Sequence, residues 1–133
     1  MHTNYQGKLE AALNILENED FVYIHLEGPD ECGHQGNVKD KILSIERLDK
    51  DLLKPLINIL EKRGLDYSIL IMPDHATPIV ERTHTSDPVP YILYRSYQEL
   101  LPHAKAYTEV DAQETGYKVD KAHSLMKDLI LEM

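Results

Sequence analysis

A short apolar run, an amphipathic helical stretch and a second short apolar run follow one another in the first half of the chain. The runs are residues 21–26 and 67–72, and a proline follows closely after each. Between them, an apolar stripe recurs at helical spacing, consisting of Ile42, Ile45, Leu48, Leu52, Leu56 and Ile59. Short β-rich runs separated by a helix are typical of parallel strands joined by crossovers. The pattern therefore predicts an α/β fold in which flanking helices cover a layered sheet of mostly parallel strands.

The same patterns predict the remaining elements. Leu9, Leu13 and Leu16 indicate a helix at the start, residues 91–94 a third strand, and the segment from Lys121 a closing helix. Pro55 is expected to kink or split the long helix, and Gly64 to end it. Residues 30–38 and 74–90 are polar and lack periodicity, so both are expected to be loops. Each follows a predicted strand directly, where α/β folds bind their ligands.

Length, charge and cysteine content exclude several classes of protein. The chain has 133 residues, which fits one domain without an internal linker. Its formal charge of −9 argues against binding to nucleic acid or to an anionic membrane, because both need a basic surface. The single Cys32 excludes an internal disulfide. The sequence has neither a membrane-length apolar run nor a signal-peptide pattern, so a cytoplasmic location is expected.

Five residues in the two polar segments carry metal-binding chemistry. Asp30 and His34 are four residues apart, Asp74 and His75 are adjacent, and His84 follows in the same segment. Each piece alone has an ordinary explanation, since an aspartate often caps a turn and a loop histidine is often solvated. Together they offer two carboxylates and three imidazoles at one edge of the predicted sheet. Such a set is suited to zinc or manganese and, as a two-metal site, to phosphoryl transfer.

Three motifs make the sequence resemble a known family. Asp-Glu-Cys-Gly-His at 30–34, Asp-His-Ala-Thr-Pro at 74–78 and His-Thr-Ser-Asp-Pro-Val-Pro at 84–90 are similar to motifs of the cofactor-independent phosphoglycerate mutases. The likeness is to the shorter, archaeal-type branch of these enzymes, within the alkaline phosphatase superfamily. Residues 4–8 and the tail from Thr115 to Met126 also fit, so the resemblance extends over essentially the whole chain.

The resemblance implies a role for each of the five residues. Asp30, His34 and His84 correspond to the ligands of one metal ion, and Asp74 and His75 to two ligands of a second. The family uses manganese or magnesium, with zinc in related members. Its enzymes interconvert 3- and 2-phosphoglycerate through a phosphorylated serine, which makes a phosphoglycerate the implied small-molecule substrate in glycolysis.

Two family features have no counterpart in the sequence. The nucleophilic serine and a further aspartate ligand, both from the N-terminal part of a longer chain, lack matching motifs here, as does the inserted substrate domain. Residues 1–133 are therefore expected to be the C-terminal portion of a metal-binding phosphatase-like domain. We expect such a chain to hold one metal ion or none, and to be inactive by itself because covalent phosphoryl transfer needs a nucleophile.

Two alternatives remain open at this point. The chain could belong to a related phosphotransferase or phosphatase, such as a homoserine-kinase-like enzyme, because the missing domain would select the acceptor. It could instead be a non-catalytic module that binds metal or forms a homo-oligomer. An apolar face left by an absent half of the domain would favour such association.

Overall fold

A computed structural model describes residues 3–130 of the protein. Its contacts divide the chain into two compact units, each built from two segments. The first unit comprises Met1–Leu65 and Thr77–Thr85, and the second comprises Asp66–Ala76 and Ser86–Met133. Among residues 3–130, no helix is both long enough and apolar enough to cross a membrane.

Helix α1, Tyr5–Ile15, confirms the helix predicted at the start of the chain. Asn4 caps it, because its side-chain oxygen accepts a hydrogen bond from the Gly7 backbone N–H at 2.9 Å. Leu9 and Ala12 are buried on its inner face. The helix packs against the π-helical segment described below, and this contact forms part of the first unit's core.

The expectation of a loop over residues 30–38 is wrong, because helix α2 occupies Gly28–Gln35. Pro29 lies in the first turn, where a missing N–H costs nothing, and Asp30 and Glu31 complement the positive end of the helix dipole. Gly36 ends the helix with a left-handed φ of 66°. The polar composition of this stretch concealed ordinary helix start and stop signals.

The long predicted helix is present but is divided into three parts. Helix α3 is Val38–Arg47, a π-helical segment is Leu48–Leu53, and helix α4 is Lys54–Lys62. Pro55 lies in the first turn of α4, and Gly64, with a φ of 64°, follows its end. Of the predicted apolar stripe, Leu52 and Leu56 are buried, whereas Ile42 and Ile45 of α3 are about half exposed.

The second unit contains a two-stranded antiparallel sheet. Strands β1, Ser68–Ile71, and β2, Ile92–Arg95, pair in a register that sets Ser68 opposite Arg95 and Ile71 opposite Ile92. Both strands lie within a residue or two of the positions predicted from sequence. Their antiparallel pairing differs from the expected parallel order.

Residues 21–27 do not form the predicted first strand. Exposure alternates along this segment from one residue to the next, as in extended chain, and it has no ladder partner in the described part of the protein. An apolar run indicates an extended, partly buried segment, but a strand also needs a neighbour. Parallel order was inferred from three strands, and the sheet within residues 3–130 has two.

Short helices complete the second unit. Helix α5 is Glu109–Glu114, a 3-10 turn is Ala122–Ser124, and helix α6 is Leu125–Ile130, where a closing helix is predicted. Leu125 is buried, whereas Ile130 is 45% exposed. The unit is tied together by Arg95 of β2, which is buried and donates a hydrogen bond to the Asp128 carbonyl at 2.6 Å. Met1, His2 and residues 131–133 lie outside the described residues.

Candidate metal centre

Helix α2 places Asp30 and His34 on the same face of the first unit. Their spacing of four residues is one helical turn, which brings side chains close together. The Nε2 atom of His34 lies 3.4 Å from the Asp30 Oδ2 atom. The sequence predicted that these two residues converge, although by way of a loop rather than a helix.

The third member, His84, comes from the segment 77–85 of the same unit. Its Nε2 atom lies 3.1 Å from His34 Nε2 and 3.3 Å from Asp30 Oδ1. The ligand atoms of the three residues all lie within 4.8 Å of one another. Residues about 50 positions apart in sequence therefore meet at one point, as the resemblance implies.

These distances suit coordination of one cation. Two ligand atoms held about 2.1 Å from a common ion lie about 3.0 Å apart at a right angle and about 3.4 Å apart at the tetrahedral angle. The two imidazole nitrogens lie 3.1 Å apart, and they lie 3.3 and 3.4 Å from different oxygens of Asp30, so each of these separations falls in that interval. One carboxylate and two imidazoles are also a common donor set for divalent transition metals. The residues present thus fit a divalent cation in both spacing and chemistry.

Two hydrogen bonds orient the candidate ligands. The carbonyl oxygen of Arg82 lies 3.0 Å from His34 Nδ1 and can only accept, so the neutral ring carries its proton on Nδ1. His34 Nε2 then presents a lone pair towards Asp30 and His84. The hydroxyl of Thr77 donates to Asp30 Oδ1 at 2.5 Å. Partners of this kind fix the tautomer and the direction of metal ligands.

Arg82 supplies its carbonyl from an unusual backbone conformation. Its φ of 53° is in the left-handed region, and it is the non-glycine residue with positive φ among those the structure describes. Its guanidinium lies over Gly36, where a Cβ would be 2.6 Å from the Arg82 Nε atom. The backbone of the segment that carries His84 therefore turns at Arg82, and the Arg82 side chain packs against Gly36 at the end of α2.

The site is open to solvent. The side chains of Asp30, His34 and His84 are 34%, 41% and 51% exposed. An ion can therefore reach all three without a rearrangement of the first unit.

Asp74 and His75 belong to the second unit. The Nε2 atom of His75 lies 3.4 Å from Asp74 Oδ2, and the His75 backbone N–H donates to Asp74 Oδ1 at 3.1 Å. The adjacent side chains therefore lie close together, as expected when a turn follows β1. The three-residue cluster of the first unit consists of Asp30, His34 and His84.

Cys32 lies in α2 between Asp30 and His34 and is fully buried. Burial raises the pKa of its thiol, and the negative charge of Asp40 raises it further. The thiol is therefore kept protonated, which is unsuited to metal binding because the thiolate is the ligand form. Cys32 therefore contributes to packing within the first unit.

Sequence reasoning missed the residues that orient the ligands. Thr77 enters the sequence analysis only as a letter of the second motif, and Arg82 lies between the second and third motifs. The one available signal for Thr77 was a hydroxyl side chain inside a metal-binding motif. Arg82 acts through its backbone carbonyl, for which its side chain gives no signal.

Comparison with known proteins places this geometry in a family context. Residues 1–132 match the model of the Metalloenzyme superfamily. The chain is 42% identical over 128 residues to a 2,3-bisphosphoglycerate-independent phosphoglycerate mutase from Methanothrix thermoacetophila, covering 96% of this chain and 32% of that protein. It is 35% identical over 130 residues to the mutase of the same name from Methanosarcina mazei, covering 98% of this chain and 33% of that protein.

A solved structure is also similar. The PH0037 protein from Pyrococcus horikoshii matches with a TM-score of 0.78 and 25% identity over 98% of this chain and 39% of that one. The chain spans about a third of the length of the curated relatives it matches. The likeness therefore extends over nearly all of this chain and a minor part of each relative.

Proposed function

Because the chain belongs to the Metalloenzyme superfamily, we propose that its first unit binds one divalent cation through Asp30, His34 and His84. The observation that carries this proposal is the convergence of three ligand atoms within 4.8 Å from two distant segments. An acidic or histidine-rich surface does not by itself give the orienting hydrogen bonds to His34 and Asp30.

The donor set favours particular cations. Two imidazoles and one carboxylate suit manganese or zinc better than magnesium, which prefers oxygen ligands and retains water. We extend the proposal to Asp74 and His75 as two ligands of a second ion. Their adjacent side chains, 3.4 Å apart, support this extension.

The relatives suggest a reaction. Relatives that match nearly the whole chain are phosphoglycerate mutases, so we propose that residues 1–133 form the C-terminal, metal-binding portion of such an enzyme. The substrate would be a phosphoglycerate, and a bound cation would neutralise phosphate charge and polarise a phosphoryl oxygen. Asp30, His34 and His84 would hold that cation.

The isolated chain is proposed to be inactive. The first unit has one serine, Ser44, which is buried in α3 and donates its hydroxyl hydrogen bond to the Lys41 carbonyl at 2.8 Å. A serine held in this way is not available to attack a phosphoryl group beside the cluster. A mutase cycle at this cluster would therefore need a nucleophile from outside the first unit.

Metal titration tests the binding proposal. We expect the chain to bind Mn²⁺ or Zn²⁺ in calorimetry, and His84→Ala to weaken binding about a hundredfold or more, because loss of a ligand exceeds loss of an outer partner. His103→Ala is the matched control, since His103 is an exposed histidine of the second unit. Equal affinity in the wild type and in His84→Ala would show that the site is wrongly assigned.

An activity assay tests the proposed dependence on an external nucleophile. The chain, loaded with Mn²⁺, should not convert 3-phosphoglycerate to 2-phosphoglycerate above the rate of buffer with metal. Sustained conversion that disappears in His84→Ala would overturn the proposal of inactivity and leave the metal site in place.

A further inference from the structure

Thr77 is a buried residue whose hydroxyl points at a candidate ligand. It is 5% exposed, and its Oγ1 donates to Asp30 Oδ1 at 2.5 Å. Buried hydroxyls normally find a partner, but a carboxylate oxygen of a candidate metal ligand is a specific choice. A charge-assisted hydrogen bond of this kind is also stronger than one between neutral groups.

The backbone of Thr77 is fixed independently of its side chain. The Lys41 ammonium donates to the Thr77 carbonyl oxygen at 2.6 Å, and this contact is partly buried. Gly33 of α2 leaves the necessary space, because a Cβ there would lie 2.5 Å from the same carbonyl oxygen. The position from which the hydroxyl is directed is therefore set by α2 and α3.

The hydrogen bond restricts a torsion that would otherwise be soft. Rotation of a carboxylate about its last bond is broad, with no sharp preferred angle. With Oδ1 held by Thr77, Oδ2 lies 3.4 Å from His34 Nε2 while Oδ1 stays 3.3 Å from His84 Nε2. The carboxylate plane is thereby kept facing both imidazoles.

We propose that Thr77 is a positioning residue that orients the Asp30 carboxylate for cation binding, with Lys41 and Gly33 fixing its own place. This inference rests on the proposed function, since it assigns Thr77 a role towards the same ion. Thr77 acts through Asp30 and is not itself a ligand in this assignment.

The test removes the hydroxyl and keeps the shape. Thr77→Val is expected to weaken Mn²⁺ binding by about 10- to 100-fold in calorimetry, the usual effect of losing an outer-sphere partner. Thr77→Ser keeps the donor and should restore affinity to within about threefold of the wild type, because the hydrogen bond it retains is the one that matters. Thr83→Val makes the same substitution at an exposed position of the same segment and is the matched control.

A second variant addresses the support of Thr77. Lys41→Met removes the donor to the Thr77 carbonyl and should weaken Mn²⁺ binding by about three- to tenfold, the equivalent of one ordinary hydrogen bond. This variant also keeps the inference testable if Thr77→Val does not fold, which circular dichroism would reveal. Unchanged affinity in folded Lys41→Met would then overturn it.

His84→Ala, measured in the same titrations, separates two kinds of failure. If His84→Ala weakens binding and Thr77→Val does not, the inference about Thr77 is wrong and the metal site stands. If Thr77→Ser loses as much as Thr77→Val, the hydroxyl is not the cause and the inference is also wrong. If the wild type binds no Mn²⁺, or His84→Ala binds it equally well, the proposed function fails and takes the inference with it.

Discussion

Two polar clusters, one in each unit, are built on opposite principles. In the first unit, Asp30, His34 and His84 bring together atoms that can all offer lone pairs, and their side chains are a third to a half exposed. In the second unit, Arg95 is 4% exposed and donates to the Gln98 side chain at 2.8 Å and to the Asp128 carbonyl at 2.6 Å. The second cluster is built around a side chain that only donates, whereas the facing atoms of the first can all accept.

The position of one proton shows the difference. With its proton on Nε2, His84 can donate to His34 or Asp30, and the first cluster is partly satisfied internally. With that proton on Nδ1, all three facing atoms offer lone pairs, which is the arrangement that cation binding requires. The Arg95 cluster has no such alternative, because its guanidinium is always protonated. A binding site for a cation is thus distinguished from a structural polar cluster by two features. Its side chains are accessible to solvent, and the atoms that meet there can accept more hydrogen bonds than they donate.

The largest expected effect is on the Arg95 cluster of the second unit, which we call the closed cluster because Arg95 is buried. Arg95→Ala should lower the free energy of unfolding by about 3 kcal/mol, because two hydrogen bonds to a charged group are lost and the Asp128 carbonyl loses a donor. Urea denaturation followed by circular dichroism measures this. Lys118→Ala, which removes an exposed ion pair to Asp120, is the control and should change stability by less than about 0.5 kcal/mol. If Arg95→Ala changes the free energy of unfolding as little as the control does, the Arg95 cluster does not stabilise the second unit.

The cluster of Asp30, His34 and His84 should respond in the opposite way. We call it the open cluster because its side chains are exposed to solvent. His34→Ala is expected to weaken Mn²⁺ binding by about a hundredfold, or about 2.7 kcal/mol, while changing stability by less than about 0.5 kcal/mol. His25→Ala, an exposed histidine of the same unit, controls for loss of an imidazole. A His34→Ala protein that is strongly destabilised but binds Mn²⁺ normally would make this cluster structural as well.

The sequence predicted the chemistry of the open cluster better than its backbone. Two of the three motifs identify Asp30, His34 and His84 as candidate ligands, because ligand chemistry is carried by residue type and order. The helix under Asp30 and His34 was missed although Pro29 and Gly36 are ordinary helix boundaries. Polar and glycine content outweighed those signals.

The features that the sequence does not predict are tertiary contacts. The sequence predicts a strand at residues 91–94, close to the observed β2, but antiparallel pairing with β1 depends on which neighbour is present and not on the apolar run itself. The buried Arg95 gave no signal, because the sequence does not reveal that the carbonyl of Asp128, 33 residues away, accepts its hydrogen bond. Ile42 and Ile45 fit the helical stripe, yet periodicity does not state whether the face is covered.

Gly33→Ala tests how the open cluster is held. Helix propensity alone would make this change stabilising by up to about 1 kcal/mol. The new Cβ would meet the Thr77 carbonyl oxygen at 2.5 Å, so we expect destabilisation by about 2 kcal/mol instead. We also expect weaker Mn²⁺ binding, because Thr77 must move away from Asp30. Increased stability with unchanged Mn²⁺ affinity would show that segment 77–85 can shift without loss.

Tyr107 offers the smallest effect and extends the comparison to a partly exposed contact of the second unit, because Tyr107 is 42% exposed. Its hydroxyl donates to the Pro90 carbonyl at 3.1 Å, so Tyr107→Phe should cost about 1 kcal/mol of stability. Tyr23→Phe, which removes a phenol on a side chain that is 72% exposed, is the matched control.

The same contact has a pH signature with a definite sign. Burial, aided by the negative charge of Glu109, raises the pKa of Tyr107 from 10.0 to about 12. The folded state then keeps a proton that the unfolded state loses, so this group's contribution to stability is complete below pH 10 and declines between pH 10 and about 12. The difference in ultraviolet absorbance between wild type and Tyr107→Phe should therefore show a phenolate midpoint near pH 12. A midpoint near 10 would mean that packing around the Pro90 contact does not shield the phenol from water.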